Sequence, residues 1–243
     1  MFEFDQHKRR FFRHVGGVGA VLASGTWVTD SYAATPKAAN VTAEQALQLL
    51  KDGNARFMAD KPEPVVLGKE RRLALARSQR PIAVLVSCSD SRVPPELLFG
   101  RGLGELFIVR NAGNTVDTVA LGSIEYAVAK LGVPLVVVMG HERCGAVEAA
   151  VSVVEEQARF PGSIGPMVEP IVPAVLRAKA QLGDKKYTAD ALLDASVREN
   201  VMRVVTRLRE SEPVMVEPLR TKKLMIVGAR YDLDDGSVEF FEP

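Results

Sequence analysis

The chain has 243 residues, 31 Lys+Arg against 30 Asp+Glu, 47% hydrophobic and 25% charged residues. This is globular composition, and a net charge of +1 gives neither the basic footprint of a nucleic-acid binder nor an acidic tail. Two cysteines exclude a disulfide-rich scaffold, and 14 Pro with 19 Gly spread along the chain exclude disordered and collagen-like classes.

The amino terminus reads as an address. Residues 8–13 form a cationic patch containing the pair Arg9-Arg10, and an uncharged stretch with four glycines follows over 15–28. That stretch is shorter than the roughly 20 residues that cross a bilayer. It runs into Ser31-Tyr32-Ala33-Ala34, with small residues where a signal peptidase reads. The pattern predicts a signal peptide over 1–33 of the twin-arginine type, cleaved near Ala33. A general secretory signal or a short amphipathic helix are the other readings. The prediction is therefore a periplasmic protein whose mature part, 34–243, carries no membrane segment. His7, His14 and Trp27 leave with the signal, so His141, Cys88 and Cys144 are the only imidazole and thiols of the mature chain.

A helix is predicted from Thr42, with Gln45 at the capping-box position and Leu47, Leu50 and Phe57 at near-helical spacing. A polar linker with Pro62 and Pro64 leads to a basic helix over 70–77. The continuous apolar run over 81–87 marks a strand covered on both faces, and 106–109 is a second. A helix over 115–131 and a third buried strand over 135–139 follow. Helical patterns then occupy 144–159, 168–182 and 188–210, before a fourth strand run over 224–227. Asp235-Gly236 and the segment 238–241 make a hairpin-like end. Strands alternating with helices give one α/β domain, a mostly parallel sheet flanked by helices with right-handed crossovers.

Cys88 directly follows the first strand, and His141 follows the third across a single glycine. Ligand sites of open parallel sheets gather at the carboxyl ends of the strands. If those two strands are neighbours, Cys88 and His141 emerge at one edge. Cys144 stands three residues on, in the first turn of the next helix, where the helix dipole favours a thiolate. Cys2His is a zinc ligand set that leaves a fourth tetrahedral position open, as catalytic sites do. On these three residues alone, small-hydrophobe packing of the cysteines remains the other reading. Asp90 and Arg92 lie two and four residues past Cys88, placed either to face a metal or to tie down a loop as a local ion pair.

Cys88-Ser89-Asp90-Ser91-Arg92 and His141-x-x-Cys144-Gly145-Ala146 resemble the two zinc motifs of the β-class carbonic anhydrases. The likeness runs from about Thr42 to Leu233 and includes the segment from Phe107 to Asn114 and Ile124-Glu125-Tyr126. The resemblance implies one Zn2+ per chain on Cys88, His141 and Cys144. It also implies reversible hydration of CO2 to bicarbonate and a proton, with Asp90–Arg92 orienting the attacking hydroxide. It places Gln79, Phe107, Ala112, Tyr126 and Gly145 around a narrow substrate cleft, although packing alone would put Phe107, Ala112 and Tyr126 in the core and leave Gln79 solvated or capping. Asp90 is the fourth ligand in one resting form of the family. That form accompanies a bicarbonate site using a tryptophan, which the mature chain lacks, so the open form is expected. Two thiolates make a formally neutral centre, a weaker Lewis acid, with activity rising on the alkaline side. The family also implies a homodimer or higher homo-oligomer. Hydrolysis of carbonyl sulfide or carbon disulfide on the same site, and a non-catalytic zinc-binding module, are the alternatives.

Overall fold

The structure, a computed structural model, describes residues 41–241 apart from 63, 66, 184, 185 and 212. The predicted signal peptide and its cleavage site lie outside the described residues. Helix α1 (Ala43–Met58) begins as its sequence dictates: Gln45 N donates to Thr42 Oγ1 and Thr42 N to Gln45 Oε1, closing the capping box. Then come α2 (Lys69–Leu75), β1 (Ala83–Ser87), α3 (Pro95–Leu98), β2 (Leu106–Arg110) and a 3₁₀ turn (Ala112–Asn114). Next are α4 (Thr118–Leu131), β3 (Leu135–His141), α5 (Gly145–Glu156), α6 (Ile164–Val168) and a 3₁₀ turn (Glu169–Ile171). The chain continues through α7 (Val172–Leu182), α8 (Ala189–Arg209), α9 (Val216–Arg220), β4 (Met225–Tyr231) and β5 (Val238–Phe241).

The five strands form one sheet in the order β2-β1-β3-β4-β5, parallel except for the final antiparallel pair. Alternation along the strands feeds two cores. Val84, Val86, Val136 and Val138 pack with Ile124 of α4 and Val201, Val205 and Leu208 of α8. Leu85, Leu135, Val137 and Met139 pack on the other face with Leu47 and Leu50 of α1 and with Leu98 and Phe99. Both faces are covered, which is why the strands read as unbroken apolar runs.

The element boundaries differ from the periodicity in instructive places. The expected helix over 115–131 starts at Thr118, because Asp117 is its N-cap and accepts from Ala120 N at 2.7 Å. The expected single helix over 168–182 is three pieces. Pro170 and Pro173 lack the N–H that would carry one helix through, and each sits at the start of a new segment. The helix expected over 144–159 stops at Glu156, with Gln157 left-handed at φ 57°. Strand β3 runs on through Gly140 to His141, because these two residues pair with Arg230 and Tyr231 of β4. Gly140 has to be glycine: a Cβ there would sit 2.8 Å from Val201 and 2.9 Å from Val197, both on α8. The short helices α3 and α9 have no period long enough to read from sequence.

Candidate metal centre

The chain leaves β1 for β2 on one side of the sheet and returns through α4 to β3 on the other. The crevice at the carboxyl ends of β1 and β3 is thus the topological switch point of the sheet. Cys88 is the first residue past β1 and His141 the last of β3, while Cys144 is the N-cap of α5. All three are buried, at 4%, 0% and 1% exposure. Around the sulfurs lie Val147, Ala150, Val168, Ile171, Val175 and Val197.

The turn from His141 to Cys144 passes through Arg143 at φ 50°, an uncommon conformation for a non-glycine residue. It is braced from the β4–β5 end of the sheet. Arg143 pairs through both terminal nitrogens with Asp234 at 3.0 and 2.7 Å. Glu142 N donates to Tyr231 O, and Leu233 N donates to the Glu142 carboxylate. Arg230, paired with Asp194 and Asp232, adds a cation to the same brace.

The sulfurs of Cys88 and Cys144 are 3.9 Å apart. Two thiolates bonded at about 2.3 Å to one tetrahedral ion stand about 3.8 Å apart. His141 Nδ1 is 2.8 Å from Glu142 O, a carbonyl that only accepts, so the proton belongs on Nδ1 and the lone pair on Nε2. Nε2 is buried with no partner among the described residues. The three donor atoms lie within 4.8 Å of one another. An orphaned imidazole lone pair facing two close sulfurs fits a metal of the zinc type.

Asp90 flanks this cluster, its Oδ2 being 3.8 Å from His141 Nε2. Arg92 gives the Asp90 carboxylate three bonds: backbone N and Nε to Oδ1 at 2.9 and 3.0 Å, and Nη2 to Oδ2 at 2.8 Å. This guanidinium holds the Asp90 carboxyl well below the usual carboxylate range, outweighing partial burial. Cys88 is lowered chiefly by the hydrogen bond from the Cys144 thiol, with the backbone N–H of Gly113 adding to it. Cys144 is correspondingly raised by that contact and by burial.

Several supporting groups have no local signal in the sequence. Arg110, on β2, donates from Nε to Cys88 O at 2.9 Å and from Nη2 to Asp90 O at 2.6 Å, clamping the loop that carries both residues. Gly113 N donates to Cys88 Sγ at 3.3 Å, and Asn200 of α8 donates to Gly113 O at 2.8 Å. Only the adjacency of β2 to β1 would have revealed Arg110, and only the packing of α8 would have revealed Asn200.

The expected cleft residues divide. Ala112 opens the 3₁₀ turn beside Cys88, and Gly145 follows Cys144 as the exposed first residue of α5. Phe107 is partly buried on β2, packed against the α4/α8 core. Gln79 is exposed and lines a groove with Arg72, Leu75, Arg77 and Leu103, none of them a candidate ligand. Tyr126 is 52% exposed on α4, so core packing does not account for it.

Fold and donor set together define an α/β protein with a Cys2His centre at the switch point of a mostly parallel sheet. The sequence profile of the carbonic anhydrase family matches residues 83–238. A carbonic anhydrase of Mycolicibacterium smegmatis is 43% identical over 194 residues, covering 80% of this chain and 91% of the relative. Carbonic anhydrase 2 of Mycobacterium tuberculosis is 39% identical over 197 residues, covering 81% and 92%. Among solved structures, a β-carbonic anhydrase of Aspergillus fumigatus superposes with a TM-score of 0.65 at 27% identity, over 82% of this chain and 92% of that one. One of two tetrameric β-carbonic anhydrases of Sordaria macrospora gives 0.64 at 27% identity, over 70% and 85%. The chain belongs to the carbonic anhydrase family, in its β class, and is an enzyme of that kind.

Proposed function

We propose that this enzyme hydrates CO2 reversibly to bicarbonate and a proton, with one zinc ion held by Cys88, His141 and Cys144. The observation that carries the reading is the unpartnered Nε2 of His141, buried against a sulfur pair at tetrahedral spacing and flanked by an ionised carboxylate. Bound zinc would supply Lewis acidity that makes a nucleophile of water near or above neutral pH. Asp90 accepts a hydrogen bond from that nucleophile and aims its lone pair at the substrate. Arg92 keeps Asp90 ionised and fixed in direction. The three bonds from Arg92 also support the open form, because Asp90 would have to leave them to become a fourth ligand. With two thiolates neutralising the ion, activity rises toward alkaline pH.

Substrate enters past Ala112, Gly145 and Phe107, and a second copy of the chain completes the cleft where Gln79 and Tyr126 stand exposed. Strand β2 is a sheet edge, and Leu103, Val119 and Tyr126 are 40%, 78% and 52% exposed, large apolar side chains that a homodimer would cover. The mature enzyme acts in the periplasm after export by the twin-arginine route and cleavage near Ala33. The test is a stopped-flow CO2 hydration assay on the zinc-loaded protein, run beside carbonyl sulfide and carbon disulfide and repeated after chelation. Chelator-sensitive hydration of CO2 with little turnover of the sulfur compounds is expected. Preferred turnover of either sulfur compound would replace the substrate assignment, and no turnover of any would leave a zinc-binding module.

A further inference from the structure

The Cys88 sulfur receives a backbone hydrogen bond that is held in place from the far side of the fold. Gly113 N donates to it at 3.3 Å. Gly113 occupies φ 65° in the 3₁₀ turn, a conformation and a space that only glycine fits: an added Cβ would lie 2.6 Å from Ile171 and 3.1 Å from Ala146. The carbonyl of the same residue accepts from Asn200 Nδ2 at 2.8 Å. Asn200 is 2% exposed on α8, 87 residues along the chain, and touches none of the candidate ligands through this bond. Removing its amide would leave the Gly113 carbonyl buried without that partner, and the turn would be free to rotate its N–H off the sulfur.

We infer that Asn200 is a positioning residue for the metal site, aiming the Gly113 N–H at the Cys88 thiolate and thereby setting how much charge that sulfur donates to the ion. The inference rests on the reading of Cys88 as a metal ligand. An N–H bond to a thiolate withdraws electron density from it, so the ion keeps more of its Lewis acidity. Partners one step removed from a metal are commonly worth about 10–100-fold in affinity or activity. A mere staple between α8 and the turn would affect folding stability and leave the metal's electronic environment alone.

The test uses the full chain loaded with cobalt(II) or zinc, comparing wild type, Asn200→Leu, Asn200→Ala and Val205→Ala. Val205 is buried on the same helix, within the α4/α8 core, and serves as the control for lost stability. A thiolate-to-cobalt absorption band in wild type is expected. Both Asn200 variants should shift that band and, because Cys88 Sγ is no longer held in place by the turn, bind zinc about 10-fold more weakly in chelator competition, while Val205→Ala lowers the unfolding midpoint with band and affinity unchanged. A wild-type band and wild-type affinity in either folded Asn200 variant would overturn the inference. So would a band and affinity that fall equally in Val205→Ala. Should neither Asn200 variant fold, Asn200→Asp, which keeps the shape and loses the donor, decides when loaded with a spin-half cadmium isotope: loss of the wild-type scalar coupling between cadmium and the Gly113 amide proton supports the inference, and an unchanged coupling rejects it. A wild-type chain without any thiolate-to-cobalt band would instead refute the ligand reading itself.

Discussion

Replacing Asp90 by Asn exchanges one oxygen for an NH2 group, and the geometry says which one. Three Arg92 donors converge on the carboxylate, two on Oδ1 and one on Oδ2. An amide that keeps its oxygen at the Oδ1 position retains two of these bonds; the opposite orientation retains one and faces two donors with a third. The first orientation wins, and it puts the NH2 where Oδ2 stood, 3.8 Å from His141 Nε2. The atom facing the metal site then changes from acceptor to donor, and no lone pair remains to take the nucleophile's proton. Orienting and acid–base groups contribute about 10²–10⁴-fold, so kcat/KM should fall by that factor, or about 3–5 kcal/mol of transition-state stabilisation. Zinc content should be unchanged, because none of the three ligands is altered. The unfolding midpoint should move little, because Arg92 is 53% exposed and exposed ion pairs contribute little. Stopped-flow hydration from neutral to alkaline pH, with metal analysis of the same samples, makes the measurement. An unchanged kcat/KM throughout that range would refute the reasoning and leave Asp90 as a loop brace. The lowered pKa fixes the sign of a related effect: the Asp90–Arg92 bond stabilises the fold above the ordinary carboxylate value and is lost as pH falls through the lower folded one.

Cys144→Ser should lose most of the zinc, and full occupancy with retained activity would sink the ligand assignment. Gly113→Ala should destabilise the fold by about 1–3 kcal/mol in denaturant unfolding, from the positive φ and the overlap with Ile171; wild-type stability would mean that the turn relaxes freely. His141 is the only histidine among the described residues and is taken up by the site. Turnover should therefore need external buffer to carry protons away, with kcat climbing as imidazole is added while kcat/KM for CO2 stays flat. Buffer-independent kcat would reveal an internal relay. Replacing Arg9 and Arg10 by Lys should keep active enzyme out of the periplasmic fraction, and undiminished arrival there would reject the twin-arginine route.

The sheet and the convergence of Cys88, His141 and Cys144 were legible in the sequence because each rests on a local signal. Strands β1 and β3 are covered on both faces and so are apolar without a break, and Cys88 and His141 stand at their ends. Residues 168–182 read as one helix because periodicity records which face is buried and says nothing of whether Pro170 and Pro173 can keep the helix ladder. Gly140 looked like a linker for the same reason: pairing with Arg230 depends on β4, some 90 residues away. Arg110, Gly113 and Asn200 were invisible because their bonds run to or from backbone atoms, and backbone acceptors leave no trace in side-chain pattern. The composition of the cleft is a further case. Gln79 and Tyr126 sit on the surface of a single chain, so their place depends on what covers that surface.

The distribution of the ligands along the chain has a consequence for how the site forms. Cys88 and Cys144 are 56 residues apart, and only His141 and Cys144 belong to one turn. No short segment of the unfolded chain therefore presents all three donors, and they come together once β1 and β3 have paired. Metal binding at this site would then be coupled to completion of the sheet rather than to nucleation of any one part. Until that moment both sulfurs are free thiols, and on an oxidising side of a membrane they would be open to oxidation before a metal reached them. A chain that folds and takes up zinc in a reducing compartment, then crosses the membrane as a finished domain, avoids that exposure. If the proposed twin-arginine route is used, the paired arginines ahead of the domain and the scattered Cys2His set within it make the same demand, that folding come first.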